Sequence, residues 1–168
     1  MQSFTELYTT FDAFGWLETV FRLCLALAGG AVLGWERELR RKPAGLRTHM
    51  MVALGSAAFM MASLELSAKL VFPSDAIRID PMHTLAGIVG GVGFLGAGTI
   101  IEARGSVHGI TTAATIWVVA AIGVACGTGL YQIAFTTVLL AIIVLKVVGL
   151  LEVKAFEGND DDSDPATE

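Results

Sequence analysis

Charge is scarce in this chain. Asp, Glu, Lys and Arg make up 16% of its 168 residues, against about a quarter in an ordinary soluble domain. Cysteine is scarcer still. Cys24 and Cys126 are the only two, both in apolar stretches, which excludes a disulfide framework and a Cys-rich zinc site. The opening segment MQSFTELYTTFDAFGWLE has no Lys or Arg. A secretory leader needs a basic start, so this segment is expected to be retained. The formal net charge is −5, and the run NDDDSD near the C-terminus supplies much of it, so no nucleic-acid partner is suggested. There is no Ser-His-Asp or Cys-His arrangement and no H-E-x-x-H. The expectation is therefore a protein that is not an enzyme, with no cofactor and no resident metal.

Apolar residues, by contrast, reach 54%. A membrane-spanning helix needs about 20 of them in a row. Residues 17–36, 48–70, 84–103, 110–128 and 131–151 qualify. Every backbone group in lipid must be bonded internally, so the expected fold class is all-α, a polytopic bundle of five transmembrane helices. Lys and Arg set its orientation. The first loop holds Arg37, Arg40, Arg41, Lys42 and Arg47, and Arg104 and Lys154 share its side, whereas the other side has Lys69 and Arg78. This predicts a cytoplasmic first loop, an N-terminus outside and a C-terminus inside. Residues 1–16 are expected as a helix lying on the outer surface, with Phe4, Leu7, Phe11 and Phe14 on one face. Residues 17–154 form the transmembrane domain, and 155–168 an acidic, disordered tail.

The segment GGVGFLGAGTI, residues 90–100, contains Gly91-x-Gly93-x-x-Gly96. A dinucleotide fingerprint needs a strand before it, a helix after it and an acid about 20 residues on. Here the flanks are continuously apolar, and after Glu102 the next acid is Glu152. The nucleotide reading is excluded. In lipid, small residues let helices approach closely, so helix packing is assigned to Gly30, Gly34, Gly87, Gly91, Gly93, Gly96 and Gly98. Span 3, rich in glycine around much of its circumference, is expected at the centre of the bundle.

Most charges within the spans have ordinary explanations. Glu18 with Arg22, and Glu65 with Lys69, are four apart and read as helix-surface pairs near the outer ends, while Lys146 extends toward the inner interface. Asp75, Asp80 and His83 of the outer loop offer oxygen and nitrogen to a hydrated Mg2+, although such loops are more often simply solvated. The cytoplasmic ends differ. Span 1 ends in Glu36 and Arg37, span 2 begins with Arg47, Thr48 and His49, and span 4 begins with Thr111, Thr112 and Thr115. Glu36 needs a partner at that depth, for which Arg47 and His49 are the candidates, and an ionisable group there is a functional candidate by default. Thr111 or Thr112 is expected to cap span 4, with Thr111 and Thr115 on one face.

Three blocks in order, GWERELRRKPAGLRTHMMVALGS, GIVGGVGFLGAGTII and GITTAATIWVVAAIGVACGTG, resemble the membrane domain of the MgtC/SapB family. The resemblance covers roughly residues 20–150. It makes Glu36, Arg37, Gly45, Arg47, Thr48, Gly96, Gly98, Thr111, Thr112, Trp117 and Cys126 signature positions, with Trp117 grouped among the helix-packing residues. It implies a bacterial inner-membrane protein linked to growth under magnesium limitation and, for some members, to survival inside phagocytes. Such members resemble regulators of other membrane machines, and the F-type ATP synthase is a proposed target for some. MgtC-type members often carry a C-terminal domain of ACT-like fold, which this chain is not expected to have, so it looks more like the SapB-type branch. Two readings follow: a regulator acting through helix contacts in the lipid bilayer, as a homodimer or with another membrane protein, and a small ion or solute transporter or channel, also as a dimer.

Overall fold

A computed structural model describes residues 15–69, 80–103 and 105–149. The outer-surface helix, Asp75, Arg78, Arg104, Lys154 and the acidic tail lie outside the described residues. Helix α1 spans Trp16–Leu39, α2 Leu46–Lys69, α3 Pro81–Ala97, α4 Ile110–Thr128 and α5 Tyr131–Ile143. The last continues into a π-helical turn, Val144–Val148. Between α3 and α4 lies a small antiparallel hairpin of β1, Ile101–Ala103, and β2, Ser106–His108, in which Glu102 faces Val107.

Among the described residues, four helices are long and apolar enough to cross a membrane: α1, α2, α4, and α5 with its π turn. The fifth, α3, has 17 residues, about 26 Å at 1.5 Å per residue, slightly short of a hydrocarbon core of about 30 Å. Its start is encoded by Pro81 in the first turn and by Asp80, whose carboxylate accepts from the Met82 N–H at 2.8 Å. Both devices suit a helix N-terminus, where N–H groups lack intrahelical partners.

The third apolar stretch ends earlier than hydropathy predicts. Thr99, Ile100 and Ile101 read as more span, yet α3 stops at Ala97. The Thr99 N–H and hydroxyl both turn back to the Gly96 carbonyl, at 2.9 and 2.7 Å. This tightening closes the last turn and releases the chain into the hairpin. Gly91 and Gly93 lie within α3, so the G-x-G-x-x-G is helical and forms no phosphate-cradling loop. Gly109 then starts α4 with φ of 93°, and a Cβ there would collide with the Thr99 carbonyl. Only glycine meets both demands.

The central helix is α4, not α3. It packs against α1, α2, α3 and α5, and it carries the longest series of buried residues, Thr112 through Gly127. One core cluster joins Ala26 and Leu33 of α1, Ala53 and Ala57 of α2, Val119 and Ile122 of α4 and Ala134 of α5. A second joins Met60 of α2, Ile88 and Val92 of α3 and Ile116 and Ala120 of α4. Close approach is built from glycine on α1 and α4, with α2 between them. A Cβ on Gly30 would lie 2.7 Å from the His49 carbonyl, and one on Gly34 would lie 2.8 Å from Leu46 Cα. Opposite, a Cβ on Gly127 would lie 2.7 Å from the Ala57 carbonyl, and one on Gly123 would collide with that of Ala53. In contrast, nothing lies within 4 Å of a Cβ on Gly87, Gly90, Gly91 or Gly93 of α3. Their expected packing role finds no neighbour among the described residues. Gly96 makes ordinary contact with Ala113, at 3.5 Å.

At the opposite end, α4 and α5 meet at Gly129, whose φ is 78°. The Gly129 N–H bonds Cys126 and the Leu130 N–H bonds Ala125, which satisfies the carbonyls at the end of α4. Arg22 completes this joint. It is buried, donates from Nη1 to the Gly127 carbonyl at 2.7 Å and holds Glu18 at 2.6 Å. The expected surface pair is therefore a tertiary tie between α1 and α4. A side chain long enough to reach past its own helix found an unsatisfied helix-end carbonyl.

Candidate functional site

At the other end of α1, Glu36 and Arg37 enter the bundle, 6% and 2% exposed. Arg37 lies one turn beyond Leu33, on the face that α1 turns to the core. Its Nε donates to Glu36 Oε2 at 2.6 Å, and Arg40 pairs with Glu36 Oε1. The carboxylate is thus held by two guanidinium groups of its own helix. Neither Arg47 nor His49 is its partner, contrary to expectation. Arg40 is four residues from Glu36, a spacing that brings side chains together on one helix face. The spacing of Glu36 and Arg40 is the sequence signal for this pair.

Glu38 explains where Arg47 goes. Its Oε2 accepts from the Leu46 N–H at 3.0 Å, across the loop, and caps the start of α2. A negative charge belongs at this position, where helix N–H groups are free. A Cβ on Gly45 would meet the Glu38 carboxylate, so a larger residue there would have to displace this cap. Arg47 and Thr48 sit in the first turn of α2 and are exposed, lining a shallow opening of about 370 Å³ with Glu38 and Gly45.

His49 is fully buried, at 0% exposure. Its Nδ1 lies 2.9 Å from the Gly45 carbonyl and its Nε2 3.2 Å from Thr115 Oγ1. Thr115 in turn donates to the Thr112 carbonyl at 2.8 Å. A carbonyl only accepts, so Nδ1 carries a proton. The single hydroxyl proton of Thr115 then has two acceptors, His49 Nε2 and Thr112 O. With a neutral imidazole one of these contacts lacks a proton. A second proton on the ring satisfies all three. The cluster is a buried polar chain crossing from α2 to α4 whose hydrogen bonds depend on where one proton resides.

The threonines sort differently from expectation. Thr112 and Thr115 are buried and Thr111 is exposed, so the inward pair is three apart rather than four. Neither Thr111 nor Thr112 caps α4. That position is Gly109, with no side-chain cap. Trp117 is 51% exposed on α4. Gly98 ends α3, and its nearest neighbours there are carbonyls of its own last turn. Asp80 is occupied as the cap of α3, with His83 Nδ1 3.4 Å from its other oxygen. Cys24 is exposed and Cys126 buried, and neither is bonded to the other.

The arrangement is that of a multi-pass helical membrane protein with a buried ionic and polar cluster at one end of its helices. The chain belongs to the MgtC family: residues 23–154 match the model of that family. It is 40% identical over 142 residues to "Putative magnesium transporter YhiD" of Escherichia coli, covering 84% of this chain and 66% of YhiD. It is 39% identical to "Protein SapB" of Bacillus subtilis, over 75% of this chain and 54% of SapB. It is equally identical, 39%, to "Protein MgtC" of Salmonella typhimurium, over 72% of this chain and 48% of MgtC. The matched part thus spans about half to two thirds of these relatives. No solved structure matches.

Proposed function

We propose that this MgtC family protein is a non-enzymatic component of the bacterial inner membrane that supports adaptation to low Mg2+ by regulating other membrane machinery. The observation that carries the reading is the cluster at one end of the bundle. Glu36, Arg37, His49, Thr112 and Thr115 are all buried there, while Arg47, Thr48 and Thr111 are exposed around them. Burying ionised groups costs several kcal/mol each, and packed apolar residues would hold the helices at lower cost. The exposed basic loop Arg40–Lys42 favours the cytoplasm for this end, with the N-terminus outside. The unfilled glycine face of α3 supports a homodimer or a contact with another membrane protein.

The second reading is a small ion or solute transporter acting as a dimer. The name of the Escherichia coli relative speaks of magnesium transport, and the His49–Thr115 chain lies within the spans. Growth of a deletion strain across a range of Mg2+ concentrations tests the first reading. The strain is complemented with wild type, Glu36→Gln and Arg47→Ala, with membrane levels checked by blot. Poor growth only at low Mg2+, not rescued by inserted variants, is the expected result. A deletion silent at every Mg2+ level contradicts it. Mg2+ uptake into proteoliposomes of the purified protein, abolished by Glu36→Gln, would move the conclusion to the transporter.

A further inference from the structure

A cavity of about 690 Å³ opens between α1, α2 and α5 and borders the buried ion cluster at Glu36. Its wall is apolar, built by Val32 and Leu39 of α1, Met50 of α2 and Ile142 of α5. At its end the character changes. Glu36 and Lys146 line it, and Trp35 stands at its edge, 59% exposed. Lys146 belongs to the π-helical turn that prolongs α5. Arg40 approaches the same turn: its Nη1 lies 3.2 Å from the place a Cβ on Gly149 would occupy.

The charges do not balance. Glu36 is already held by Arg37 and Arg40. Lys146 makes no hydrogen bond or ion pair with any described residue, although it lies within a helix of span length. An ammonium group near hydrocarbon is costly without a counter-charge. The site therefore joins an acyl-sized apolar wall to an excess of positive charge at one end. Basic pockets between transmembrane helices suit anionic lipid headgroups, and a half-exposed indole suits the interface beside them.

We propose that this cavity binds an anionic phospholipid, with an acyl chain along Val32, Met50 and Ile142 and the phosphate against Lys146 and Arg40. The site does not rest on the regulatory or transport readings. An apolar partner surface would fill the wall but bring no counter-charge to Lys146. Free phosphate would compensate Lys146 but leave the wall empty. A phospholipid does both.

Native mass spectrometry of the full chain released from detergent tests this, with phosphatidylglycerol and phosphatidylcholine of the same acyl composition as probes. Wild type is expected to retain phosphatidylglycerol preferentially. Lys146→Gln should lower phosphatidylglycerol binding about fivefold, the weight of one basic residue at a membrane surface, and leave phosphatidylcholine unchanged. Ala31→Phe, which places a ring in the same cavity, should lower binding of both lipids. Thermal unfolding of each variant confirms that it is folded. Equal retention of the two lipids by wild type would overturn the proposal, as would a Lys146→Gln variant with undiminished preference. Displacement of phosphatidylglycerol by millimolar inorganic phosphate would show a bare anion site instead and overturn it too. So would a cross-link between two copies through a cysteine placed at Val32 under the same lipid conditions.

Discussion

Two sets of glycines at helical spacing meet opposite fates in this molecule. Gly30 and Gly34 of α1 and Gly123 and Gly127 of α4 press on α2 so closely that a single added carbon would strike its backbone. On α3, a Cβ on Gly87, Gly90, Gly91 or Gly93 would have no described neighbour within 4 Å. In lipid, burying a larger side chain against a neighbour gains little over burying it against acyl tails. Glycine spacing therefore encodes a capacity for close approach. It does not say which neighbour uses it. Within this chain the capacity is spent on seating α2, which carries His49 toward Thr115 and so assembles the polar cluster. On α3 it is left over: Gly87 and Gly91 border an open cavity shared with α2, and no described residue closes on them.

The contrast is sharpest in stability. Gly123→Val should lower the unfolding temperature in detergent most, by the equivalent of about 3 kcal/mol, because the Ala53 backbone cannot retreat from α4. If Gly123→Val unfolds like wild type, the α2–α4 contact is looser than described. Arg22→Ala should cost about 2 kcal/mol in the same assay, from the loss of a charged donor to the Gly127 carbonyl. An unchanged midpoint would return Arg22 to a surface role. Gly91→Leu should change monomer stability by about 0.5 kcal/mol or less, since its surroundings are open. Loss of self-association in that variant, seen by cross-linking in membranes, would identify what the face of α3 is for. A large loss of monomer stability would remove the distinction between the two sets.

Much of this architecture is legible in the residues alone. Uninterrupted apolar runs place all five helices, because lipid leaves the backbone no alternative to internal hydrogen bonding. Gly30 and Gly34 are readable from their spacing of four, and Gly123 with Gly127 carries the same signal. The gathering of Glu36, His49, Thr112 and Thr115 at one end follows from their depth in the spans, but which of the threonines turns inward does not, since Thr111 is exposed beside buried Thr112. Three further features are not legible that way. Hydropathy cannot see that Thr99 bonds back to Gly96 and ends α3 before Ile100 and Ile101. Charge counting groups Arg47 with Glu36, because it carries no information on direction. The loop turns Arg47 outward and gives Glu36 to Arg37 and Arg40. The reach of Arg22 depends on where the α4–α5 turn comes to rest, which is a property of the assembled bundle.

We propose that the buried cluster at this end serves function and not only cohesion. Thr115→Val tests it most directly, because valine keeps the shape and removes the one hydroxyl that links His49 to α4. The measurement is growth at low Mg2+ of the deletion strain carrying this variant, with membrane level and unfolding temperature matched to wild type. The expected result is a protein that inserts and folds but fails to restore growth. Full restoration by Thr115→Val would contradict it and leave the cluster a structural fastening between α2 and α4.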